Sequence, residues 1–346
     1  MIKKTLLFFC FLSALLSSPS VASAAQPASA RKLIYFVVWD SCEEACRGFY
    51  DAIAEARINA DIILRDAKKD ETKVAGFVKE AKELMPDLIA VWGTQASLGM
   101  LGTERNMNSA RYVSGIPAVF MVVSHPVESG LVSSLIAQGR PITGVTHLAA
   151  LSEQLQSARL YFPFKRLGII YNAAEINASV SASQLKLYAP MMNFELVERK
   201  VPLGKNNKPD VNSLPKLMAE MAEQKVDLLY LGADVFLNEN KDVYFDAAMM
   251  HNLPVLSASE AAVRNGRALL SFSNRYYTVG QEAGRKAVQI LKNKIAAYDI
   301  PITSPQRFLA VVNIEAAEKL SLYPPLAFVQ NADFVNVPTL KEPETP

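Results

Sequence analysis

The chain repeats itself, and the repeat limits the folds open to it. Apolar Val74, Phe77, Val78 and Ala81 at helical spacing lead into MPDLIAVWGT (85–94). About 140 residues later, Leu214, Leu217, Met218 and Met221 lead into KVDLLYLGAD (225–234). IPAVF (116–120) answers LPVLS (253–257), and RKLIYFVVWD (31–40) answers KRLGIIYN (165–172). Each copy reads as opening strand, amphipathic helix, Asp-led strand, polar turn, helix and Pro-led strand. Strand–helix alternation with short links predicts parallel, doubly wound sheets. The expected fold is α/β, two doubly wound parallel-sheet lobes joined by a hinge, and a cleft between lobes suits a small-molecule ligand.

Ahead of the repeat, Lys3 and Lys4 precede an apolar run from Leu6 to Leu16 and then small residues, with Ala22-Ser23-Ala24 as a small-x-small cleavage site. Residues 1–24 are expected to be a signal peptide, because the apolar run is well short of the ~20 residues that span a bilayer. Cys10 lacks the small residues expected before a lipidated cysteine. The expected product is an exported, periplasmic chain that does not insert into the membrane after cleavage.

About 320 residues then remain, enough for two lobes. Removing Lys3 and Lys4 takes Lys+Arg from 36 to 34 against 34 Asp+Glu, so the charge is near zero and nucleic acid is not an expected partner. Cys42 and Cys46 in DSCEEACRGF are expected to form a disulfide in an oxidising compartment, a frayed first helical turn bringing them within reach. The alternative is a redox or metal-binding pair. His125, His147 and His251 are scattered without metal-ligand spacing, and neither a metal nor a cofactor is expected.

Apolar runs place strands at 33–40, 60–67, 87–93 and 118–124, with 142–155 as a crossover. Further strands are expected at 166–172, 194–201, 227–234, 254–259 and 268–274, and a last one at 308–313. Val279, Ala283, Ala287, Ile290 and Leu291 stripe a helix over 277–294. The tail 336–346, rich in Pro, Glu and Thr, is expected to be disordered.

Ligands of open parallel sheets bind beyond the carboxyl ends of the strands. That rule selects Trp39, Asp40, Thr94, Gln95, Ser124 and His125 from the first copy, and Asn172, Glu175, Asn177, Asp234, Arg275 and Tyr276 from the second. Trp39 and Tyr276 could stack on a ligand. Free N–H groups at Gly93-Thr94-Gln95 and the Thr94 hydroxyl suit an anionic group. Each choice has a plainer alternative: Thr94 as a helix cap, Trp39 as lobe packing, Asp234 as a turn cap, the tyrosines as core rings. Laid side by side, the copies put Thr94 opposite Asp234. No G-x-S-x-G elbow, phosphate loop or H-E-x-x-H is present, so catalysis is not expected.

PDLIAVWGTQAS, IPAVFMVVSHPVESGLV, GRPITGVTHL, RLGIIYNAAEINAS, DLLYLGAD, ALLSFSNRYYTVGQEAGRKAVQIL and FLAVVNIEAAEKLSL occur in that order, covering about Lys32 to Tyr323. The series resembles the tryptophan- and tyrosine-type solute-binding proteins of ABC transporters. That resemblance implies a type I periplasmic binding fold with three hinge crossings, closure on a ligand, delivery to an ABC permease, and a monomer. It also implies lobes at 31–145 plus about 277–300, and at 146–276 plus about 301–330. A membrane sensor as partner is the alternative, and a periplasmic enzyme the second one. Where the family usually has Asp-Pro and Asp-Tyr-Tyr, this chain has His125-Pro126 and Arg275-Tyr276-Tyr277. Both changes predict a more positive cleft, for a ligand that carries more negative charge or lacks a free amine.

Overall fold

Asp87 and Asp227 explain why the repeat survives in three dimensions. The Asp87 carboxylate accepts from Leu33 N at 2.9 Å and from Lys32 Nζ at 2.6 Å, while its own N–H donates to the Leu33 carbonyl. In the second copy, Asp227 accepts from Lys165 N at 2.7 Å and Arg166 N at 2.8 Å, and its N–H donates to the Arg166 carbonyl. Each aspartate therefore fastens the start of a central strand to the opening strand. The prolines act alike: Ile89 N donates to the Pro117 carbonyl and Leu229 N to the Pro254 carbonyl, both at 2.9 Å. Pinning register at strand starts matters, because a one-residue slip would move every side chain to the opposite face of the sheet.

The computed structural model describes residues 31–41, 43–106, 110–136, 139–204, 208–305 and 308–338. The first copy folds as β1 (Lys32–Val38), α1 (Glu43–Glu55), β2 (Ala60–Asp66), α2 (Glu71–Leu84), β3 (Leu88–Trp92), α3 (Thr94–Leu101), β4 (Ala118–Met121) and β5 (Ile142–Val145). Its five strands lie in the order β2-β1-β3-β4-β5, all parallel. The second copy begins with α4 (Leu151–Tyr161), β6 (Arg166–Tyr171), α5 (Ile176–Met191), β7 (Glu195–Lys200), α6 (Leu214–Glu223) and β8 (Leu228–Leu231). It continues with α7 (Val235–Glu239), α8 (Lys241–Met250), β9 (Val255–Ser257), α9 (Ala261–Arg264) and β10 (Leu270–Ser273). Then come α10 (Tyr276–Leu291), β11 (Leu309–Asn313), α11 (Ile314–Leu320), α12 (Leu326–Val329) and β12 (Ala332–Val335). The second sheet has the order β12-β11-β10-β9-β8-β6-β7, with only the β10–β11 pair antiparallel.

Both faces of each sheet are covered, as the unbroken apolar runs require. On β1, Tyr35 and Val37 pack with α2 and α3, while Ile34, Phe36 and Val38 pack with α1 and α10. The predicted α10 stripe from Val279 to Leu291 is buried throughout. Helices α1 and α10 come so close that a Cβ on Gly280 would stand 1.9 Å from the Ala45 carbonyl oxygen, and one on Gly48 2.1 Å from that of Tyr277. Glycine is required there because backbone meets backbone.

Three expectations are corrected. Residues 142–145 are a full strand of the first sheet, not part of a crossover. Their short ITGV sequence hides this, since Thr143 is buried through a bond from its hydroxyl to the Ile300 carbonyl at 2.8 Å. The strand at 308–313 is not the last, because β12 pairs with it in parallel. Finally, β4 stops at Met121, because Val122 sits at φ +56°, a left-handed conformation foreign to a β-branched residue. The expected disordered tail falls mostly on residues 339–346, outside the described ones, as does the expected signal peptide. Among the described residues, no helix is long and apolar enough to cross a membrane.

The chain passes between the sheets three times: after β5, after β10 and before β11. The three passes bond to one another. Thr146 N donates to the Thr303 carbonyl, Leu148 bridges Ser273, and Asn274 Nδ2 donates to the His147 carbonyl.

Candidate functional site

Strand register brings one set of chosen residues to a common edge. Val38 lies opposite Trp92, Trp92 opposite Met121, and Met121 opposite Val145. The next residues, Trp39, Gly93, Val122 and Thr146, therefore leave the first sheet at one level. Gly93, at φ +92°, leaves its neighbour Trp39 room: a Cβ there would stand 3.1 Å from the Trp39 Cβ. Trp39 is 8% exposed, and its indole N–H has no hydrogen-bond partner within the chain. The strained turn at Val122 leads into buried Ser124 and His125, whose Nε2 is likewise unpartnered. Strain held at a strand end is a frequent mark of a functional site.

His147, just past β5, completes this edge. It is 4% exposed, its Nδ1 is unpartnered, and its ring meets Tyr276 edge-on at 5.5 Å. Burial lowers the His125 pKa, partly opposed by the Glu128 charge. Burial, with the nearby His125, lowers His147 to about 3. Both imidazoles are therefore neutral near pH 7, each able to donate one hydrogen bond and accept another. Reading 142–155 as a crossover concealed His147. A strand ending in Gly-Val-Thr-His would have exposed it.

The second sheet's edge is arranged differently. Asp234 caps α7, accepting from Leu237 N at 2.9 Å, and also accepts from Asn172 N at 2.7 Å. Glu175 adds to the same cap by accepting from Val235 N at 2.8 Å and Phe236 N at 2.9 Å, and it takes a third bond from Asn172 Nδ2. Burial first, then the Glu175 charge, push Asp234 up to about 7, against the backbone N–H groups that hold it down. The plainer alternative for Asp234, a turn cap, describes its geometry. Thr94 reaches the second half at Asn177. Its hydroxyl accepts from Asn177 Nδ2 at 3.2 Å, joining the start of α3 to the start of α5 across the two sheets. Thr94 and Asn177 are both buried, and Asn177 Oδ1 remains unpartnered.

A second link crosses nearby. Lys69 Nζ lies 3.1 Å from Asp40 Oδ2 in its own half and 3.3 Å from Glu239 Oε1 on α7. Sequence reasoning chose Asp40 but missed Lys69 and Glu239, whose pairing depends on how the two sheets meet.

Two chosen residues stand apart from this cluster. Gln95 lines a cavity of about 540 Å³ between α2 and α3, together with Lys79, Lys82 and Arg111. Arg275 is half-exposed and paired with Asp333 of β12 at 2.8 Å, so it adds no unpaired charge to the edge. That corrects the more positive cleft expected from Arg275. Cys42 lies outside the described residues, so the expected disulfide to buried Cys46 stays an expectation. Tyr276 keeps its place beside His147: burial pushes its hydroxyl up to about 12, against a bond with Ser259.

Residues 32–335 match the family described as ABC transporter substrate binding protein. A tyrosine-binding protein of Clostridioides difficile is 24% identical over 287 residues, 82% of this chain and 78% of the relative. Among solved structures, an ABC domain in complex with L-Trp from Streptococcus pneumonia is 21% identical, with TM-score 0.74, covering 88% of this chain and 100% of that one. The ligand-free, open structure of a substrate binding protein with adhesive properties from Clostridium difficile is 23% identical, with TM-score 0.70, covering 88% and 99%. These likenesses agree with the two mostly parallel sheets and three crossings of the type I periplasmic binding fold. The chain belongs to the ABC transporter substrate-binding protein family.

Proposed function

We propose that this chain is the periplasmic solute-binding component of an ABC importer. It captures an amino-acid-like or aromatic small carboxylate between its two sheets, hands it to a membrane permease, and catalyses no reaction. The observation that carries this reading is the Thr94–Asn177 bond, flanked by buried polar atoms that have no partner within the chain. A buried polar atom left unpaired costs about 1–3 kcal/mol, so a group of them at facing strand ends is the surface a solute would satisfy. The α3 amides and the Thr94 hydroxyl suit the solute's carboxylate. Trp39 and Tyr276 give its ring apolar area. The tyrosine-binding relative and the L-Trp-bound neighbour support an aromatic solute.

The Thr94–Asn177 and Lys69–Glu239 contacts join the facing edges and depend on their closure. A solute touching both edges would therefore favour the closed state by its differential contacts, and a few kcal/mol suffices. We further assign residues 1–24 as the signal peptide, Cys42–Cys46 as a disulfide of the exported monomer, and 31–145 with about 277–300 as the first lobe. Native mass spectrometry of the purified chain, followed by a thermal-shift panel, tests the reading. A retained small molecule recovered unchanged, or stabilisation by an aromatic acid or amino acid, is expected. No retained molecule and no stabilisation across a broad panel would remove it.

A further inference from the structure

Among the described residues, seven buried side-chain polar atoms lack a partner, and five of them belong to Trp39, Trp92, His125, His147 and Asn177. All five residues stand at strand ends or helix starts of the facing edges, which marks a binding surface rather than scattered packing defects. What they offer is neutral: two indole N–H donors, one amide oxygen, and two imidazoles that burial keeps uncharged.

The charged groups of the two edges are engaged within the chain, apart from the exposed Glu128, whose charge is felt at His125. Asp40 and Glu239 share Lys69. Asp234 and Glu175 are bound to the backbone N–H groups of α7. Glu260 takes Arg264 Nε at 2.6 Å and Tyr276 N at 3.3 Å, and Asp333 takes Arg275. An ammonium group placed against Trp39, His125 and His147 would meet only these neutral groups and lose its hydration, which is unfavourable in a buried site. A neutral or hydroxyl-bearing end would gain the same hydrogen bonds without that penalty.

We propose that the solute carries no ammonium group where it meets Trp39, His125 and His147: an aromatic acid lacking the α-amine, rather than the corresponding amino acid. This rests on the solute-binding reading and names the solute class for the same cleft. Here the carboxylate end keeps to the α3 amides and the Thr94 hydroxyl, and the aromatic body spans toward the two histidines.

Calorimetric titration of the purified chain with indole-3-propionate and 3-(4-hydroxyphenyl)propionate, each beside L-tryptophan or L-tyrosine, tests the proposal. The deaminated acid is expected to bind at least tenfold more tightly than its amino acid. Equal or tighter binding of the amino acid would overturn the proposal and leave the solute-binding reading intact, as would stabilisation by another class of solute alone. No stabilisation by any solute would overturn both. In His125→Asp, checked for folding by circular dichroism, the preference should move at least tenfold toward the amino acid. An unchanged ratio in a folded variant would overturn the assignment of the solute's uncharged end to this edge.

Discussion

The two sheet edges start from the same repeated framework and use their polar residues in opposite ways. At the second edge, Asn172, Glu175 and Asp234 bond to one another and to the N–H groups of α7, while Glu260, Arg264, Arg275 and Asp333 form a second closed set. At the first edge, Trp39, His125 and His147 are as deeply buried yet keep polar atoms unpaired. In the proposed function, one edge is a finished scaffold and the other the reading surface, with Asn177 as the scaffold's contribution to it.

If that division holds, substitutions at the two edges should separate stability from affinity. The largest effect is expected for Asp234→Ala, which removes the α7 cap and the partner of Asn172 N. Urea unfolding should show a loss of about 2–4 kcal/mol. Asp234 also sets a pH dependence. Its value near 7 stands above the ordinary 3.8, so the stability it contributes is full below about 3.8 and is lost as pH rises through about 7. The difference in unfolding free energy between the parent and the alanine variant should shrink as pH rises across that window, while the buried His125 and His147 add an opposite slope to both proteins.

Trp39→Phe should do the reverse. Removing an unpartnered indole N–H offsets part of the lost ring volume, so stability should fall by no more than about 1 kcal/mol. Solute affinity should drop about tenfold, read by calorimetry. Equal losses in both quantities would make Trp39 a packing residue. A smaller effect is expected for Lys69→Met, which removes a partly exposed link between the halves. Affinity should weaken about two- to fivefold, with less effect at high salt. Smallest of all is Arg275→Gln, within about 0.5 kcal/mol in stability and with affinity unchanged, because its pair with Asp333 is half-exposed.

How much of this was legible in the sequence follows from which strands were legible. Long apolar runs gave away β1, β3 and β8, and Asp87 and Asp227 marked matching starts, so the doubled α/β fold and most strand-end residues could be read. The short strands β5 and β12 could not, because Ile-Thr-Gly-Val and Ala-Asp-Phe-Val carry no clear period. Each omission had a consequence at the site. Without β5, His147 looked like a stray histidine. Without β12, Arg275 lost its partner Asp333 and looked like a charge available to a ligand. The Thr94–Asn177 bond joins two helix starts, a relation between the halves that neither copy encodes locally.

Closure is the central claim, and small-angle X-ray scattering of the chain with and without a stabilising solute measures it most directly. The account predicts a smaller radius of gyration at saturation, with the contraction reduced in Lys69→Met. An unchanged radius at saturating solute, with binding confirmed by calorimetry in the same sample, would contradict it.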